Sequence, residues 1–84
     1  MTYSVEFKPS VVKALKRIPK ENQIQIIRKI KSLADDPWPA GCVKLADFPY
    51  YRVRYGNYRI IYEIQDNKLL ILILKIGHRK DVYR

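Results

Sequence analysis

The chain has 84 residues, with seventeen Lys or Arg against eight Asp or Glu and a net charge of +9. A single cysteine, Cys42, excludes an internal disulfide and a thiolate metal cluster, and no apolar run approaches the about 20 residues that span a bilayer. The expectation is one small basic domain, 1–84, with room for one core, whose potential attracts nucleic acid, an anionic surface or an acidic protein. The start, Met1-Thr2-Tyr3, has no basic-then-apolar leader, so the expected location is the cytoplasm, with no membrane partner.

Tyr3, Val5 and Phe7 alternate with Ser4 and Glu6, the period of a half-buried strand. Pro9-Ser10 closes it, with Ser10 expected to cap a helix in which Val11, Leu15 and Ile18 share one side and Pro19 ends the segment. A second helix is predicted from about Glu21 to Ala34. Its stripe is Ile24, Ile27, Ile30 and Ala34, widened by Ile26 and Leu33, with Arg28, Lys29 and Lys31 outside. The short Pro19-Lys20 junction predicts an antiparallel helical hairpin. Asp35 to Gly41 is a connector rich in helix breakers, with Trp38 expected over an edge of the core.

The segment Tyr51-Arg52-Val53-Arg54-Tyr55-Gly56-Asn57-Tyr58-Arg59-Ile60-Ile61-Tyr62 reads as a hairpin, because Gly56-Asn57 separates two β-prone runs and Gly supplies the positive φ of a tight primed turn. Tyr55 then faces Tyr58, Arg54 faces Arg59, and Arg52 lies two residues along on the same face. Opposed like charges cost on the order of 0.2–1 kcal/mol relative to a neutral pair, so this face calls for an anion. Glu63 continues the face but cannot neutralise three arginines. Tyr51, Tyr55, Tyr58 and Tyr62 fall on the reverse face as core or cross-strand pairs.

After an expected two-residue turn at Asp66-Asn67, Leu69 to Ile76 is apolar on both faces, which predicts a central strand whose second face is covered by a loop, a partner or another copy. Strand phase then places His78 on the face of Arg54 and Arg59. The order β-α-α-β-β-β predicts an α+β domain, a helical hairpin on one side of a small, mainly antiparallel four-stranded sheet.

The hairpin arginines and the terminal Gly77-His78-Arg79-Lys80-Asp81-Val82-Tyr83, together with Phe7-Lys8-Pro9-Ser10, Asp36-Pro37 and Lys44-Leu45, resemble the RelE/ParE superfamily of toxins from type II toxin–antitoxin pairs, and within it the RelE-like messenger RNA interferases. The resemblance covers essentially the whole chain. It implies a microbial ribonuclease-like fold and an endoribonuclease that cuts messenger RNA in the ribosomal A site without a metal or other cofactor, by attack of a ribose 2′-OH on the adjacent phosphate. It implies as partners the ribosome, messenger RNA and an acidic RelB-like antitoxin, through which the pair binds its own operator DNA.

By resemblance, Arg59 clamps the scissile phosphate, Arg79 stabilises the transition state, and Tyr83 stacks on or orients the nucleotide; Arg52 and Arg54 are expected in the catalytic set too, and with Arg59, Lys80 and Arg84 they bind RNA. Arg52 and Arg54 stand where similar enzymes carry lysines, and an arginine with a pKa above about 12 is no base. His78 is the only group with an unperturbed pKa near neutrality and is the candidate base. Two other readings stay open. ParE-like members of the same superfamily inhibit DNA gyrase without catalysis, and a plain RNA-binding module would also carry such a face.

Overall fold

Pro9 begins the first helix where a missing N–H costs nothing, since the first turn of a helix has no intrahelical acceptor for it. Lys8 is the capping position, in extended geometry at φ −64° and ψ 148°, and its carbonyl accepts from the N–H of Val11 at 2.9 Å. The capping role expected of Ser10 is therefore not filled: Ser10 lies inside the first turn, and the proline sets the boundary. The computed structural model describes residues 2–45, 47 and 49–78. Its elements are β1 (Ser4–Phe7), α1 (Pro9–Lys16), α2 (Lys20–Leu33), β2 (Val43–Leu45), β3 (Tyr50–Tyr55), β4 (Tyr58–Gln65) and β5 (Leu70–His78).

The expected α+β arrangement is present, two helices followed by a mostly antiparallel sheet, with one addition. The sheet has five strands rather than four, ordered β1-β5-β4-β3-β2. The extra strand is β2, three residues that pair antiparallel with β3, Val43 opposite Arg52 and Leu45 opposite Tyr50. Three residues are too few to show a period of two. β1 runs parallel to β5, and the other pairings are antiparallel. The strand expected at the centre, β5, lies second from the edge, flanked by β1 and β4, because β1 adds outside it and β2 extends the far side, which makes β4 central.

One face of the sheet is sealed by the helices. Val11 from α1 and Ile26, Ile30 and Leu33 from α2 form one core with Val53, Ile60, Tyr62, Ile64, Ile71, Ile73 and Ile76. The buried stripe of α2 is thus Ile26-Ile30-Leu33, while Ile24, expected in the stripe, is 49% exposed. Both stripes are equally apolar as sequence. The rotation of the helix over the sheet decides between them. Among the described residues no helix is long and apolar enough to cross a membrane.

The connector between α2 and β2 is tied to the sheet by one buried hydrogen bond, Tyr62 Oη donating to the Pro37 carbonyl at 2.7 Å. Tyr51 stacks on Tyr62 at 6.0 Å, and Trp38 meets Tyr3 and Tyr51 edge-on at 6.4 and 6.5 Å. Trp38 lies at the rim of the core and is half open to solvent, as its place in the connector suggested. Tyr3 also donates its hydroxyl to Asp66, which fastens β1 to the turn before β5. Burial, with Cys42 close by, pushes the Tyr62 phenol above its ordinary pKa.

Two outcomes follow from this packing. Ile26→Ala should cost about 2–5 kcal/mol in urea unfolding, the range for emptying a buried aliphatic site, whereas Ile24→Ala should change stability by less than about 0.5 kcal/mol. Because Tyr62 holds its proton more tightly when folded, its contribution is full below the ordinary tyrosine value of about 10 and falls as pH rises past it, since the unfolded chain then releases the proton first. Urea midpoints between neutrality and pH 11 should show this alkaline loss reduced in Tyr62→Phe, which at neutral pH should be about 1 kcal/mol less stable for want of the hydrogen bond.

Candidate functional site

Gly56 takes φ +57°, the conformation that a two-residue β-turn requires and that side chains resist. With this turn the hairpin register is the expected one: Tyr55 pairs with Tyr58, Arg54 with Arg59, Val53 with Ile60 and Arg52 with Ile61. Arg52, Arg54 and Arg59 therefore share the face away from the helices, with Glu63 opposite Tyr50 further along it. The face is not uniform. Arg54 is exposed and Arg52 half-buried, but Arg59 is only 6% exposed, in the central strand and opposite Gly77, which has no side chain to displace it.

A guanidinium placed this deeply is positioned by the fold and not by an incoming ligand. It also acts through a lower effective dielectric than a surface cation, so an anion brought to it feels more of the charge. A hollow of about 60 Å³ opens beside it, bounded by Arg54, Gly56, Asn57, Tyr58 and Arg59. Two arginines lining one small opening suit an oxyanion such as a phosphate, which arginine grips in two-pronged fashion.

His78 departs from its expected place. Gln65 pairs with Leu70 and Glu63 with Leu72, so the turn itself, a 3₁₀ turn at Asp66–Lys68 with Leu69 at φ 50°, would have left His78 in phase with the arginines. A bulge intervenes. Ile61 pairs with Lys75 but Tyr62 with Ile73, leaving Leu74 between them and shifting the register by one residue. Gly77 consequently faces Arg59, and His78 faces Tyr58 on the helix-bearing side, its ring edge-on to Tyr58 at 5.7 Å. Beneath it lie Ala14, Arg17 and Ile18 of the first helix and its end.

Arg79, Lys80, Tyr83 and Arg84, the other residues expected at the site, lie outside the described residues. The structure adds side chains that sequence reasoning did not place there. Asn22 at the start of α2 and Asn57 in the turn join Tyr55, Gly56, Tyr58 and His78 around a hollow of about 410 Å³. Nothing in the sequence marks Asn22, because it is one polar residue among several on a helix start. Among the described residues, no group of three or more His, Cys, Asp or Glu is placed to hold a metal ion.

Residues 5–83 match the family model described as the ParE toxin of the type II toxin–antitoxin system parDE. Toxin RelG of Mycobacterium tuberculosis is 27% identical over 86 residues, covering 100% of this chain and 99% of that protein. A chain in the crystal structure of the archaeal RelE–RelB complex from Pyrococcus horikoshii superposes with a TM-score of 0.82 at 31% identity, covering 98% of this chain and all of the other. The free toxin RelE of Escherichia coli, in a mutant form, gives a TM-score of 0.83 at 20% identity over 99% of this chain and 90% of that one, a likeness of fold.

The opposed pair carries its own test. Arg54→Gln removes one of two like charges from a directly facing position and should raise stability by up to about 1 kcal/mol at low salt. In about 1 M NaCl, where the screening length falls to about 3 Å, the gain should largely vanish. Thermal melts of both proteins at the two salt concentrations measure it.

Proposed function

Since the chain belongs to the RelE/ParE superfamily of type II toxin–antitoxin toxins and is RelE-like, we propose that residues 1–84 work as one toxin domain, a ribosome-dependent endoribonuclease that cuts messenger RNA in the A site and so stops translation in the cytoplasm. The observation that supports this most is the buried Arg59 facing Arg54 across the hairpin. It is a positive site held in place by the central strand of the sheet.

Attack of a 2′-OH on the neighbouring phosphate forms a P–O bond to the ribose and breaks the bond to the 5′ oxygen of the next nucleotide. The products are a 2′,3′-cyclic phosphate and a 5′-OH. Negative charge rises on the non-bridging oxygens as the attack proceeds, and charge fixed beforehand lowers that barrier most. Arg59 is the clamp in this reading and Arg54 the outer, solvent-facing contact, with Arg52 on the approach. Arg79 is assigned to the transition state and Tyr83 to orienting the nucleotide, with Lys80 and Arg84 as further RNA contacts, all on the strength of the family pattern. His78 points to the other side of the sheet, so its role moves from base to binding. No metal is required by this sequence of steps, because the arginines carry the charge term that a cation would otherwise supply.

The partner in this reading is an acidic antitoxin. Chains similar to this one occur in complexes with RelB from Pyrococcus horikoshii and Methanococcus jannaschii. Here a net charge of +9 favours an acidic partner, and apolar surface is left for it. A groove of about 440 Å³ runs between β1 and the helices, lined by Val5, Phe7, Val12, Leu15, Ile27 and Lys31 among others, and Leu70 and Leu72 are half-buried on the helix-free face. A segment that folds on binding fits such a surface.

The match to the ParE toxin model favours one second reading, a non-catalytic inhibitor of DNA gyrase on the same fold. Single-turnover cleavage of ribosome-bound messenger RNA tests the first. We expect 2′,3′-cyclic phosphate ends, and a rate that falls about 10²–10³-fold in Arg59→Ala, the scale for removing one preorganised charge donor. A variant that cuts at the wild-type rate would remove Arg59 from the chemistry.

A further inference from the structure

The hollow around Asn22 and the arginine face are separated only by the hairpin end. Gly56, Asn57 and Tyr58 line both: on one side the opening at Arg54 and Arg59, on the other the 410 Å³ hollow that also holds Asn22, Tyr55 and His78. A third hollow, about 300 Å³, adjoins the second through the shared Tyr58 and His78, and brings in Arg17. The chemistry changes across the rim, from fixed cations on the outer side to amides and aromatic rings on the inner one.

Those groups define a ligand class. Asn22 and Asn57 each offer a paired donor and acceptor, the pattern that reads the edge of a nucleobase. Tyr58, Tyr55 and the His78 ring offer faces on which an unstacked base packs, the usual way in which single-stranded RNA is held. The volume lies within the range of small-molecule sites and is ample for one nucleoside. Among the described residues no acidic side chain lines any of the three hollows, which suits a phosphate strand. In the hollow of Asn22 itself no described residue is a lysine or arginine to draw a peptide carboxylate, and Arg17 lies in the adjoining one.

We propose that the hairpin end is a rim crossed by one RNA strand, with a phosphate held at Arg54 and Arg59 and the base of an adjacent nucleotide turned over the rim into the pocket of Asn22, Asn57, Tyr58 and His78. This rests on the RNA reading above and extends it, because it makes the pocket the part of the toxin that selects the base next to the bound phosphate. His78 then acts as a wall and edge contact for the base.

Titration of isotope-labelled, full-length protein, followed by nuclear magnetic resonance, separates the two claims. Inorganic phosphate should move the Arg54 and Arg59 signals, with the shared rim of Gly56, Asn57 and Tyr58, and leave Asn22 and His78 still. The four nucleoside 5′-monophosphates should move both sets, and the pocket response should rank the bases, with the best and worst differing about tenfold in Kd, as a good amide–base pair allows. Asn22→Ala should abolish the ranking and keep the phosphate response at Arg59, and Asn57→Ser, on the opposite wall, repeats the test if the first variant is poorly folded. Nucleotides that move only the residues inorganic phosphate moves would overturn the pocket and leave the arginine site standing. A ranked response at Asn22 without any at Arg59 would keep the pocket and count against the phosphate clamp, and silence at both would overturn both.

Discussion

Everything at the candidate site depends on the pairing of β3 with β4 across Gly56-Asn57. Once Tyr55 is set against Tyr58, each residue of the hairpin is assigned a face, because the side-chain period of a strand is two. Val53, Ile60 and Tyr62 go under the helices and close the core, and in the same step Arg52, Arg54 and Arg59 go to the other side. Stability and charge are therefore two sides of one register. A slip by one residue would put guanidiniums into the core, at a cost of several kcal/mol each, and the hydrophobic residues into water. The core thus holds the arginine cluster together against its own repulsion.

The hairpin was legible because its signals are local: a Gly in the turn, β-branched and aromatic residues on both sides, and a charge pattern of period two. The two helices were legible for the same reason, although the choice between Ile24 and Ile26 as the buried residue was not, since it depends on how the helix sits on a sheet formed by distant residues. The place of His78 was misread on account of Leu74. A bulge is a property of two strands together, and the run Leu69 to Ile76 carries no turn residue to announce it. One residue did hold the clue. With unbroken alternation Ile71, Ile73 and Lys75 would all point into the core, and a buried lysine without a partner is costly, so Lys75 required a change of phase before it.

That change of phase shapes the functional reading. It brings Gly77 opposite Arg59, and it carries His78 round to Tyr58 on the helix side. The hairpin end then has cations on its outer surface and rings and amides on its inner one. Phosphate and base are the two halves of a nucleotide, and they call for these two kinds of group. The net charge of +9 adds a long-range attraction to any polyanion, including the ribosome, and an acidic partner that covers the chain would cancel that attraction as well as occupying surface.

The central claim is that the arginine face acts on messenger RNA at the ribosome and not on gyrase, and one measurement addresses it most directly. The toxin is induced in growing bacteria without its partner, while amino-acid incorporation and chromosome breakage are followed in the same culture. The account predicts that incorporation stops with the chromosome intact. Chromosome breaks appearing while incorporation continues would contradict it.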